Sequence, residues 1–199
     1  MSNSQSCIYT HRKIPEESEN FIDNYILKSI EYLAPYIMSI TTTPNIVTIF
    51  RSILLCIMSY IYIESSTKKN AILFISIYFI NYYLDCVDGY LARKCNKMTK
   101  LGDWLDHVSD ILSFAIYFFI MYPFTGIEVA VIVFLALLMC IHLGNQQKLY
   151  KKRNNKKQKE LLDAFMEIDI VPISVTKYFG CGTLILGLIV IFINRKIMQ

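Results

Sequence analysis

The chain has 199 residues, 54% of them hydrophobic and 18% charged, with a formal net charge of +4. That length suits one domain, and recurrent apolar runs of membrane length exclude an ordinary soluble helical protein, whose helices would show polar faces at helical period. A charge this modest makes no case for nucleic acid, so the basic run Lys148–Lys159 reads as a juxtamembrane loop in contact with anionic lipid.

In chain order, Met1–Pro15 is a polar tail. Glu16–Ile40 mixes acids with Phe21, Ile22, Tyr25, Ile26, Ile30, Tyr32 and Leu33 near helical spacing, which predicts an amphipathic helix at the membrane surface. Residues 1–43 together are too polar for a secretory signal, so the first span is expected to act as an uncleaved anchor. Thr41-Thr42-Thr43-Pro44-Asn45 is a break, with Pro44 suited to a first helical turn and the preceding threonine to a cap. Residues 44–199 form the transmembrane domain. Its first span runs from Asn45 to Ile63, and Ser65–Asn70 is a turn. The second span ends near Ala92, and a loop over Arg93–Leu101 follows. The third runs from Gly102 to near Pro123 and the fourth from Gly126 to Leu143. Leu161–Lys177 carries Asp163, Glu167, Asp169 and Pro172 and makes a poor span, whereas Tyr178–Asn194 makes a good one. The fold class is therefore an all-α integral membrane protein, a bundle of five to six transmembrane helices behind an N-terminal interfacial helix.

Basic residues orient the bundle. With the N-terminus in the cytosol, 15 lysines and arginines face inward and 4 outward, with Arg51 inside the first span. The membrane is then the endoplasmic reticulum or a cytoplasmic membrane. Cys7, Cys56, Cys86, Cys95, Cys140 and Cys181 show no C-x-x-C spacing and read as reduced, small apolar residues.

Charge collects at the cytosolic ends of the second and third spans. Asp85, Asp88, Asp106 and Asp110 would together cost roughly 10 kcal/mol if fully immersed in lipid. Asp85 and Asp88 lie three apart and Asp106 and Asp110 four apart, so each pair shares one helix face. The faces belong to consecutive antiparallel helices and can meet. Oxygen ligands without suitable cysteine or histidine partners fit magnesium, manganese or calcium rather than zinc. Two cations would balance four carboxylates and leave positions for phosphate. Gly89, Ala92 and Gly102 extend the same faces with almost no side chain, which admits either a bulky ligand or another helix. Arg93 suits bidentate phosphate contact, or else sets topology. On the first span Asn45, Thr48 and Arg51 run at helical spacing; Arg51 needs a partner there, so the three read as a polar lining of the same cavity. His107 is a packing group about 100° round the helix from Asp106, Asp103 an N-terminal charge favoured by the helix dipole, and Trp104 an interfacial anchor. His142 has no visible partner.

Eight specified positions would recur by chance about once in 10^10 starts at ordinary residue frequencies. The pattern D-x2-D-G-x2-A-R-x8-G-x3-D-x3-D over Asp85–Asp110 resembles the signature of the CDP-alcohol phosphotransferases at every fixed position. The Pro44–Arg51 stretch, P-N-I-V-T-I-F-R, looks like their first-helix entry. The resemblance implies an enzyme of phospholipid biosynthesis, a transferase of substituted phosphate groups that passes a phosphoalcohol from a CDP-alcohol to an acceptor hydroxyl and releases CMP. It implies Asp85, Asp88 and Asp106 as ligands of Mg2+ or Mn2+, two ions in all, with Asp110 as base and ligand of the second. Gly89, Ala92 and Gly102 would line the cytidine pocket and Arg93 would contact donor phosphate. It further implies a homodimer; the absence of a nucleic-acid partner is expected from the modest charge. The donor stays open. Length resembles the branch that couples CDP-diacylglycerol to inositol, serine or glycerol phosphate. The amphipathic lead-in and L-G-D-W-L-D-H-V-S-D resemble the branch that couples CDP-choline or CDP-ethanolamine to diacylglycerol. Two alternatives remain: an intramembrane prenyltransferase, whose aspartate motifs lie farther apart, and a non-catalytic divalent-cation membrane protein, which gives Gly89, Ala92 and Arg93 no purpose.

Overall fold

The computed structural model describes residues 12–154 and 172–198. Secondary structure there is helical: a short 3-10 turn at Glu16–Ser18, then α1 (Phe21–Ile40), α2 (Pro44–Glu64), α3 (Lys68–Lys94), α4 (Lys100–Met121) and α5 (Gly126–Asn154). A single turn at Ile173–Thr176 precedes α6 (Cys181–Lys196). Five segments are long and apolar enough to cross a membrane: α2, α3, α4, α5 as far as Tyr150, and Ile173–Lys196. The protein is thus a multi-pass membrane protein by length and composition.

The described residues divide into two compact units. One is built on Leu27–Tyr122, the other on Lys13–Ile26 with Pro123–Gln199.

In the first unit α2 packs on both α3 and α4. Buried positions on α2 are Val47, Thr48, Arg51, Leu55, Met58 and Tyr62, at three- and four-residue steps. On α3 they are Ala71, Phe74, Ile75, Tyr78, Asn81, Tyr82 and Asp88, and on α4 Ser109, Ser113, Tyr117 and Ile120. These stripes are the helical period expressed as packing. A run of rings fills the end remote from the acids, with centroids 5.6 Å apart for Tyr62–Phe74 and 5.3 Å for Tyr78–Tyr117. Within this unit α1 buries Leu27, Ile30 and Ala34 and exposes Tyr32, Leu33 and Tyr36, so the apolar positions read from sequence as one face are divided between core and surface.

In the second unit α5 packs against α6. Asn20 Oδ1 accepts the Ile22 amide at 3.1 Å, while its amide group donates to the Lys177 carbonyl at 2.7 Å. His142, without a visible partner in sequence, is buried between Thr176 and Gln146. Thr125 and Glu128 form a reciprocal capping box at the start of α5.

Several boundaries differ from the sequence reading. Thr43 holds the N-cap position of α2 but makes no side-chain cap bond, so Pro44 at the first turn supplies the start. Lys68–Asn70 belong to α3, because the Thr67 hydroxyl accepts the Asn70 amide at 3.2 Å. α4 starts before Gly102, because Thr99 accepts the Gly102 amide at 3.0 Å. α5 continues three turns beyond Leu143, across Gly144 and Asn145 into the better helix formers Gln146, Gln147, Lys148 and Leu149. The doubtful segment Leu161–Lys177 lies mostly outside the described residues. Cys56, Cys86, Cys95, Cys140 and Cys181 are free thiols, as expected, and Cys7 lies outside the described residues.

Candidate active site

The stripe that carries Ala71, Phe74, Tyr78 and Asn81 along α3 continues as Asp85 and Asp88. The α4 stripe of Ser109, Ser113 and Tyr117 likewise begins as Asp106, with Asp110 one turn on. The acids therefore continue the inward-facing stripes at the helix ends nearest the connecting turn, where Asp88 is buried and Asp85, Asp106 and Asp110 are half-buried. That turn is closed at Asn96, which adopts the left-handed conformation (φ 52°) that a helix end needs. The Lys97 amide reaches back to the Ala92 carbonyl at 2.8 Å, and Asn96 to that of Arg93 at 3.3 Å. α3 thus ends and α4 begins within residues 95–99, which sets the two acidic faces side by side.

Carboxylate oxygens of Asp85, Asp88 and Asp106 lie within 4.8 Å of one another. Facing them from α2 is Arg51, only 1% exposed. Its Nη2 donates to Asp106 Oδ1 at 2.8 Å and Asp110 Oδ1 at 3.1 Å, and forms an ion pair with Asp85 Oδ1 at 2.7 Å. Its Nε lies 3.4 Å from Asp88 Oδ2. A lone guanidinium in an apolar helix would be prohibitive, and the acids meet its charge; the one guanidinium in turn offsets a single charge of the four carboxylates. Thr48 donates to Asp88 Oδ2 at 2.7 Å, and the Ser52 and Ser109 hydroxyls bond each other between α2 and α4. Sequence spacing placed Arg51 beside the acids but did not identify it as their shared partner. An arginine one turn beyond Thr48, in a span otherwise free of charge, was the available signal.

Beside the carboxylates is a cavity of about 180 Å³. Gly89, Ala92, Arg93 and Gly102 line it, together with Asn45 and Thr48 of α2 and the acids Asp88 and Asp106. Asp85, Asp110 and Arg51 do not reach its wall. Lys97 and Thr99 also line it and were missed by sequence reading, since each had a plain loop or cap explanation. The two glycines are close approaches. A Cβ on Gly89 would stand 3.2 Å from Arg93 Nη1, so the guanidinium lies across that bare backbone. A Cβ on Gly102 would stand 2.9 Å from Asn45 Oδ1 and 3.1 Å from the capping Thr99 hydroxyl. His107 is largely exposed, with Nε2 3.9 Å from Asp103 Oδ2, although its ring also comes within 4.8 Å of Asp106 and Asp110 oxygens. Trp104 is exposed, in keeping with an interfacial anchor.

A donor set of hard carboxylate oxygens this close together fits a divalent cation of the magnesium or manganese type. The cavity alongside, small-walled at Gly89, Ala92 and Gly102, sets Arg93 and Lys97 opposite Asp88, Asp103 and Asp106, a mixed lining that fits a phosphorylated ligand held together with a cation. Residues 41–194 match the family model of the CDP-alcohol phosphatidyltransferases. The chain belongs to that family. It is 40% identical over 72 residues to a probable CDP-diacylglycerol--inositol 3-phosphatidyltransferase of Arabidopsis thaliana, covering 36% of this chain and 30% of that one. It is 43% identical over 70 residues to the CDP-diacylglycerol--glycerol-3-phosphate 3-phosphatidyltransferase of Haemophilus influenzae, covering 34% and 36%. To the archaetidylinositol phosphate synthase of Pyrococcus horikoshii it is 33% identical over 89 residues, covering 44% and 45%. The chain thus spans less than half the length of these relatives. No solved structure matches it.

Proposed function

We propose that the protein is a membrane transferase that moves a phosphatidyl group from CDP-diacylglycerol to the hydroxyl of a small water-soluble alcohol, releasing CMP. The observation that carries this reading is the adjacency of four carboxylates from two helices to a cavity lined by Gly89, Ala92, Arg93 and Gly102. A bare ion site has no use for such a cavity. CDP-diacylglycerol, rather than CDP-choline, is favoured as donor because relatives named for their donor are CDP-diacylglycerol enzymes.

In this reading Gly89, Ala92 and Gly102 let the cytidine lie against backbone, and Arg93, with Lys97 nearby, pairs with the donor phosphates. Asp85, Asp88 and Asp106 would hold the divalent cation, Mg2+ or Mn2+, with Asp110 a ligand of a second ion. When bound, the metal neutralises the pyrophosphate and the charge that develops on departing CMP. Asp110 receives the proton of the acceptor hydroxyl as its oxygen bonds to the phosphatidyl phosphorus and the bond to CMP breaks. A carboxylate is a weak base, so its contribution comes from position in a site where water is scarce. The site faces the cytosol and the protein works as a homodimer, on the basis of the lysine and arginine distribution and of the family resemblance respectively.

The test is a donor and acceptor panel with the purified protein in lipid vesicles containing Mg2+. CDP-diacylglycerol is offered with inositol, inositol phosphate, glycerol phosphate or serine, and CDP-choline with diacylglycerol. Formation of a new phosphatidyl lipid with one of the first four acceptors is the expected result. Product with CDP-choline alone would overturn the donor assignment.

A further inference from the structure

Arg51 makes an unusual use of one nitrogen. Its Nη2 is within 3.1 Å of three carboxylates drawn from two helices, Asp85, Asp106 and Asp110. That is the number and type of contact expected of a bound cation rather than of a side chain forking onto one acid. Nε, by contrast, lies 3.4 Å from Asp88 Oδ2 and is buried without a hydrogen bond. The remaining grouping, Asp85, Asp88 and Asp106, is compact enough to hold one ion through a single oxygen from each.

We propose that Arg51 is a built-in place-holder for the second cation. The ion set comprises one position at Asp85, Asp88 and Asp106 and another at Asp85, Asp106 and Asp110, and Nη2 occupies the latter until the donor arrives. Charge explains the order. With all four carboxylates ionised, Arg51 and one divalent ion leave a single net negative charge. A second ion would make the buried cluster net positive unless it entered with an anionic pyrophosphate. The arginine therefore keeps the carboxylates together while the site is empty of donor, and makes occupancy of the second position depend on substrate. This rests on the transferase reading above and adds a positioning residue to it.

The experiment counts Mn2+ bound per chain, by equilibrium dialysis and electron paramagnetic resonance, on the purified full chain in detergent. Wild-type protein is expected to bind one ion alone and two with CDP-diacylglycerol present and acceptor absent. Arg51→Gln is expected to bind two ions without donor. Two ions on the wild type without donor would overturn the place-holder role, as would one ion on Arg51→Gln or a count that donor does not raise. Should Arg51→Gln fail to fold, the wild-type pair of counts still decides. CMP release from the same preparation, with acceptor added, reports the transferase reading separately. A protein that releases CMP but binds two ions without donor loses only the place-holder.

Discussion

Asp88 and Thr48 show how single side chains carry the site. Asp88 is buried, and its Oδ2 accepts the Thr48 hydroxyl at 2.7 Å and lies 3.4 Å from Arg51 Nε as an ion pair. That bond fixes the rotamer of a carboxylate we propose as a metal ligand, the kind of supporting contact whose loss costs about tenfold or more in affinity or rate. Thr48→Val keeps the shape and removes the donor. It is expected to lower CMP release by about tenfold and to weaken Mn2+ binding by a similar factor, with both measured on one preparation. An unchanged Mn2+ affinity would show that Asp88 is held by packing alone. The four aspartates and the small residues around them were legible in sequence because carboxylates in apolar spans have few explanations. Arg51 was legible only as a residue in need of a partner. Which acids it meets depends on the rotation of α2 against α3 and α4, and no local pattern encodes that.

Element ends decide how the two acidic faces meet. The Schellman-type closure at Asn96 and the cap at Thr99 bring α4 back beside α3, and Gly102 lets the first turn of α4 press against Asn45 of α2. Gly102→Ala would put a methyl 2.9 Å from Asn45 Oδ1 in the cavity wall, one helical turn before Asp106. The expected result is a rise of about tenfold in KM for the CDP donor, the size of effect one misplaced methyl produces in a pocket. Mn2+ binding measured without donor should stay unchanged, and a loss of it would mean that Gly102 supports the metal ligands rather than the nucleotide. Helix existence was readable from hydropathy, but these ends were less so. Thr67, Thr99 and the Thr125–Glu128 box are short polar signals that a window of apolar composition averages away. Thr43 gave the same signal and makes no side-chain cap bond.

At the scale of the whole molecule, the five apolar segments make a multi-pass membrane protein, and the lopsided distribution of basic residues carries the proposal that its acidic site faces the cytosol. A variant retaining Cys95 as its only cysteine tests the orientation, since that residue sits in the turn between α3 and α4. A membrane-impermeant thiol reagent should label it in vesicles that expose the cytosolic face and not in intact cells. Labelling only in intact cells would reverse the topology. The two compact units were not legible in sequence, because they are defined by contacts such as Asn20 with the Lys177 carbonyl, 157 residues apart. Transfer of a phosphatidyl group remains the claim on which the rest depends. It is tested most directly by CMP release from CDP-diacylglycerol, with Mg2+ and the acceptor panel, for the wild type and Asp106→Asn side by side. The account expects CMP from the wild type only when donor, acceptor and Mg2+ are all present, and at least about 100-fold less from the variant. No CMP from the wild type with any donor and acceptor, or equal release from both proteins, would contradict it.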